Sequence, residues 1–235
     1  MAISQAAGDR GATNQATSGE VAGTSIAQSH AARNADKGLS THPHGLYLAA
    51  ASGPDAARDL ADAVHLLCSL YGRHPALVEL ALGHAAAGAT RDWLGSASTA
   101  FERERLYLVR LAAAVGPLPS TPGSAQTQSA LGQQRRAIET LALSERRGCA
   151  LGATTALIAD WAAVRSVLDR AAARTGVDVP ACSLPAADSI ARVIELGIEG
   201  VAAERALAFG AEQMLLQHRR LFDLLEARAS ARANC

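Results

Sequence analysis

Aromatic residues are scarce: two Trp, three Tyr and three Phe make up 3% of the 235 residues. The core must therefore be built from Leu, Val, Ile and Ala, and stacking platforms for single-stranded nucleic acid are not expected. Lysine is rarer still, Lys37 standing alone, and 22 basic residues balance 22 acidic ones. The longest basic runs are the pairs Arg135-Arg136, Arg146-Arg147 and Arg219-Arg220. The electrostatic footprint of a nucleic-acid binder is missing. Cys68, Cys149, Cys182 and Cys235 stand singly with no C-x-x-C. That spacing disfavours a zinc ribbon or disulfide framework and fits reduced thiols in a cytoplasm. No run of about 18 consecutive apolar residues occurs, so no membrane span is expected. The first twenty residues lack a charged start followed by an apolar run, so no secretory signal is expected. Phosphate-loop, dinucleotide, nucleophile-elbow and H-E-x-x-H motifs are all absent.

What is present is alanine and helical periodicity. Residues 1–40 are Ala, Ser, Gly, Thr, Gln and Asn with few large apolar side chains. Such a segment has little to offset the entropy of ordering, so a disordered low-complexity tail is expected there. A polar loop follows, in which His42-Pro43-His44 is read as loop in preference to metal contact. Leu46, Tyr47 and Leu48 are placed to dock that loop on the core. From Asp55 onward the pattern predicts helices at about 55–73, 75–115, 124–147, 150–175, 186–199 and 201–231. The second has weak points at Gly83 and Gly88 and a restart near Thr90. "GPLPSTPGS" and "GVDVPACSLP" are decisive breaks. The expectation is an all-α protein: one domain over 41–235, an antiparallel bundle of about six helices, four of them long.

Periodicity also sorts the charged residues. Asp62-x-x-His65 has the i, i+3 spacing of a helical ligand pair. It falls off the stripe Leu60, Val64, Leu67, Tyr71, so both residues are expected to face water. Glu104 falls on the stripe of Leu94, Phe101 and Leu108. Glu145 lies one heptad past Ile138, and His218 sits among Met214, Leu221 and Leu225. Glu104, Glu145 and His218 are thus expected to point inward from three helices. A buried carboxylate needs a partner. Arg105, Arg135 and Arg165 lie close enough to the stripes to serve, and a divalent metal held by Glu104, Glu145 and His218 is the alternative. His84 shares a face with Leu77, Leu80 and Ala81 and reads as a core histidine. Trp93 and Trp161 read as core or interface anchors, and Cys149 as a structural thiol.

The segments "AVGPLPSTPGSA", "SERRGCALGA" and "FGAEQMLLQHRRLFDLLEARA" resemble an uncharacterised helical protein family of sphingomonad-type alphaproteobacteria over about residues 42–233. That resemblance implies no known activity and transfers no catalytic residue. The plan is also similar in shape to a ferritin-like bundle, but Glu-x-x-His, the metal motif of that group, does not occur. Two functions are carried forward. One is a non-enzymatic cytoplasmic helical protein without cofactor, acting through homo-oligomerisation or a protein partner and not on nucleic acid or membranes. The other is a carboxylate/histidine metal-binding or oxidase bundle.

Overall fold

The computed structural model describes residues 25–234. The first 24 residues of the expected tail lie outside that range. Among the described residues every regular element is helical: nine α-helices and one 3₁₀ turn. The six-helix expectation is therefore corrected. The helices are α1 (Ile26–Lys37), α2 (Pro43–Ala49), α3 (Ala56–Tyr71), α4 (Leu77–His84), α5 (Ala89–Ala114), α6 (Ser124–Ala142), α7 (Cys149–Thr175), α8 (Ala187–Gly197) and α9 (Val201–Ala233), with the 3₁₀ turn at Leu39–Thr41. Six are twelve residues or longer.

The extra helices have local causes. α1 lies within the stretch expected to be disordered, and its sequence carries its own start signal. Ser25 and Gln28 form a reciprocal capping box, Gln28 N–H donating to Ser25 Oγ at 3.1 Å and Ser25 N–H to Gln28 Oε1 at 3.0 Å. α1 buries Ala27 and His30, and Arg33 and Lys37 pair with Glu212 of α9. α2 begins at Pro43, the residue type best suited to a first helical position, and His42 Nδ1 accepts from Gly45 N–H at 3.4 Å. Only Leu48 of the three docking candidates is buried; Leu46 and Tyr47 remain exposed. The segment expected as one helix from 75 to 115 is two, α4 and α5, because the chain turns between His84 and Ala89. His84 sits exposed at that turn, its Nδ1 against Leu80 O at 2.9 Å, so it is not a core residue.

α7 is the hub. It touches each of the other eight α-helices, and 17 of its 27 residues are buried. It is also long and apolar enough to cross a membrane by length and composition, with 78% of its most apolar window buried inside the fold. Its closest partner is α9. A Cβ at Gly152 would lie 2.1 Å from the Leu207 carbonyl oxygen, and one at Gly210 would lie 2.0 Å from that of Cys149. At each contact a glycine of one helix lies against the backbone of the other, and no larger residue fits there without separating them. Gly148, at φ 96°, turns the chain into α7. That reversal consumes residues 143–148, so α6 stops at Ala142 instead of running to 147.

Candidate functional site

Burying this many helices brings charged side chains together, and three such clusters stand out among the described residues. The first surrounds Glu104 of α5, which is 1% exposed. Its Oε1 accepts from Arg165 Nη1 at 2.7 Å and its Oε2 from the Trp161 indole N–H at 3.0 Å. Trp161 makes an edge contact with Tyr71 at 5.2 Å between ring centres, and Tyr71 another with His218 at 5.6 Å. His218 is fully buried, with Nδ1 2.6 Å from Asp160 Oδ2; Asp160 Oδ1 accepts the Leu39 N–H at 2.7 Å. Glu104 and His218 therefore border one buried aromatic layer. Glu145 does not join them: it is exposed in the turn after α6. Its inward assignment is corrected, because it extrapolated the Leu131–Ile138 stripe into residues that are not helical. Burial and the Asp160 carboxylate push the Tyr71 phenol well above its ordinary pKa, and neither its hydroxyl nor His218 Nε2 has a protein hydrogen-bond partner.

The second cluster corrects the reading of Asp62. That residue is 0% exposed. Arg228 grips it from α9 with three contacts of 2.7–3.1 Å, and Arg232 Nη1 reaches its Oδ2 at 2.5 Å. Asp59 joins through Arg232 Nη2 at 2.9 Å, and Thr121 and Thr127 take further guanidinium hydrogens. His65 faces the other way, toward Gly116 O at 2.8 Å. The i, i+3 pair is thus split between a buried clamp and the surface. A signal for the clamp was present: Arg228 and Arg232 lie one heptad beyond Leu221 and Leu225 and continue their buried stripe.

The third cluster lies at the rim. His74, in the loop after α3, Glu79 of α4 and Glu102 of α5 each offer one ligand atom, all within 4.8 Å of one another. Glu79 is held at the start of α4 by the Ala76 N–H, at 2.9 Å from Oε2. All three acceptors converge on one cation, the guanidinium of Arg105. Nη2 reaches both Glu79 oxygens at 3.0 and 3.2 Å, while Nη1 meets Glu102 Oε2 and lies 2.5 Å from His74 Nε2. That same imidazole nitrogen is 2.7 Å from Glu102 Oε2, and it cannot both accept from Arg105 and donate to Glu102. Burial pushes the Glu79 carboxyl up, but the Ala76 N–H and Arg105 outweigh it and hold it below its ordinary range. Arg105 is 3% exposed, whereas the His74 and Glu102 side chains are 52% and 41% exposed. The positive charge is embedded; two of its acceptors are open to water, and the third, Glu79, is half-buried. A cavity of about 30 Å³ lies next to this corner, lined by Tyr71, Pro75, Leu77, Val78, Phe101 and Leu157 among others. It has room for one or two waters. Nothing in the local spacing of residues 74, 79 and 102 announced this cluster; only Glu102 and Arg105 share a helical turn.

The remaining candidates have structural partners or are covered. Arg135 donates to Ser69 O at 2.8 Å, the Trp93 indole to Ser189 Oγ at 3.0 Å, and Cys149 is buried.

Fold and clusters together define an all-α protein with a histidine–carboxylate cluster at the junction of α3, α4 and α5. Residues 34–233 match the model of a family of unknown function, DUF6975, and the chain belongs to that family. No curated protein and no solved structure matches the chain.

Proposed function

We propose that this protein binds a divalent cation through His74, Glu79 and Glu102. The single observation that carries this reading is the convergence of one imidazole nitrogen and two carboxylate oxygens within 4.8 Å. Two supports accompany it. The cluster carries two carboxylates against one guanidinium, so one negative charge is left uncompensated. His74 and Glu102 are open to solvent, which gives an ion a path in. One nitrogen and two oxygen donors suit Zn²⁺ or Mn²⁺. Three protein ligands would leave a coordination position open, as catalytic sites do and closed structural sites do not.

Arg105 decides the affinity. Its guanidinium holds all three acceptors, so a metal must displace Nη1 and Nη2 while Nε stays on the Tyr71 carbonyl at 3.2 Å. Metal and guanidinium then compete for one set of lone pairs. Titration calorimetry with Zn²⁺ and Mn²⁺ tests this on wild type, Arg105→Met and Glu79→Gln/Glu102→Gln. Saturable 1:1 binding is expected, tightened about tenfold in Arg105→Met and abolished in the double variant, a tenfold change being about 1.4 kcal/mol. If neither wild type nor Arg105→Met binds either metal, Arg105 is a structural clamp and the metal reading is wrong.

A further inference from the structure

A separate cleft opens at the far end of α9 between α2, the start of α3 and residues Glu226–Ala233. It is shallow and open to solvent, with a volume of about 500 Å³. Its walls offer two kinds of surface. Pro43, the Tyr47 ring, Ala229 and Ala233 are apolar; His44, Asp59 and Glu226 are polar.

The polar groups differ in how far they are already satisfied. Asp55 pairs with Arg58 at 3.0 Å. Asp59 accepts from Tyr47 Oη at 3.1 Å and from Arg232 at 2.9 Å. Glu226, exposed, forms no ion pair among the described residues. His44 is the unusual member. It lines the cleft and is only 7% exposed, yet no protein group hydrogen-bonds its ring. It is held by stacking on Tyr47, at 5.4 Å between centres and 27° between planes. Burial lowers its pKa against the opposing pull of Glu226 and Asp59, which favours the neutral ring with a free lone pair. With Asp55 and Asp59 matched by Arg58 and Arg232, the cleft retains one carboxylate charge and one unused imidazole acceptor.

We infer that this cleft binds a small primary alkylammonium, its charged head between Glu226 and His44 and its stem against Tyr47 and Pro43. An ammonium supplies the three donors that these acceptors lack, and its alkyl stem covers the apolar wall. A carboxylate or phosphate would meet Glu226 as a like charge. The geometry of the cleft is not that of a metal site: among the described residues its histidine and carboxylates do not bring three donor atoms together as the His74 cluster does.

The probe is n-butylammonium chloride, with sodium butyrate and n-butanol as charge and stem controls. It is titrated into the ¹³C-labelled full chain while the His44 Cε1–Hε1 resonance is followed. A saturable shift is expected with butylammonium only, weakened about tenfold or more in Glu226→Gln, the equivalent of about 1.4 kcal/mol. Glu226 is exposed and unpaired, so that variant keeps its fold, which an unchanged Tm verifies. A second variant, His44→Phe, followed through the Tyr47 ring resonances, should also lose the saturable shift. The inference is overturned by no saturable response, by an equal response to butyrate or butanol, or by undiminished binding in Glu226→Gln.

Discussion

The two arginine–carboxylate clusters at opposite ends of α3 use the same chemistry in different solvents. At the N-terminal end, Asp62 is sealed against Arg228 and Arg232, with side-chain exposures of 0%, 5% and 4%. At the other end Arg105 is equally buried, but Glu102 and His74 reach into water. In the first cluster every charge depends on its partner, because water cannot replace it. In the second, water can replace part of the acceptor set, so the partners are exchangeable. A closed cluster fixes the register of α3 on α9; an open one can trade one cation for another. For that reason the rim, not the more densely bonded interior, is the place to look for ligand chemistry.

The largest expected effect comes from breaking the closed cluster. Asp62→Ala strands two guanidinium groups in the interior, and removing one partner of a buried pair costs about 3–5 kcal/mol. Urea unfolding should show a fall in unfolding free energy of that size, seen as a lower midpoint with an unchanged m-value. A loss below about 1 kcal/mol would mean that water reaches Arg228 and Arg232, and the two clusters would not differ as described.

Much of this was written in the chain, unevenly. The stripes of α5, α7 and α9 could be read, and they placed Glu104 and His218 inside. The α9 stripe continues past Leu225 into Arg228 and Arg232. Asp62 escaped because an arc of Arg58, Asp59, Asp62 and Ser69 looks like a wet face. The rule that polar arcs face water fails when a second helix brings arginines of matching spacing to the same arc. Glu145 failed for the opposite reason, a period carried beyond the end of its helix. α1 was hidden because composition measures how much apolar area a segment can bury. It does not show that a capped helix can dock through two buried residues, Ala27 and His30, and two ion pairs to Glu212. The His74–Glu79–Glu102 cluster could not be read from spacing, because its members come from two helices and a loop joined only by tertiary packing. The Asp160–His218 contact has the same origin.

A third kind of buried group sharpens the comparison: one with no partner at all. His30 is 2% exposed, and both of its ring nitrogens lack hydrogen bonds. Burial, with Arg33 adding to it, lowers its pKa from 6.5 to about 4. Between those values the unfolded chain holds a proton that the folded chain does not. Stability therefore falls as pH drops through that window, by about 3 kcal/mol once both forms are protonated, at about 1.4 kcal/mol per pKa unit. Thermal unfolding from pH 7.5 to 4 should show the decline, and His30→Leu should flatten it. A wild-type curve with the same slope as His30→Leu would place His30 in contact with water.

The smallest effect is the most discriminating. Glu102→Gln removes one carboxylate from the open cluster, and Glu79 stays on Arg105 to hold its charge. With Glu102 41% exposed, its pairing is weakened by solvent, and exposed pairs contribute about 1 kcal/mol or less. Salt separates this case from the interior one. At about 1 M ionic strength the screening length falls to about 3 Å, so an interaction that runs partly through water is largely lost. A sealed pair has no ions between its members and keeps its energy. The difference in unfolding free energy between wild type and Glu102→Gln should therefore shrink toward zero in 1 M NaCl, on the screening scale just given. The difference for Asp62→Ala should be nearly unchanged. Equal salt sensitivity for the two would show that burial does not separate the clusters, and the case for exchange at the rim would fail with it. The same salt series with Zn²⁺ present adds a check. If the ion takes the place of Arg105, Glu102→Gln must lose the Zn²⁺-dependent rise in Tm at every salt concentration, because a ligand removed is not restored by screening.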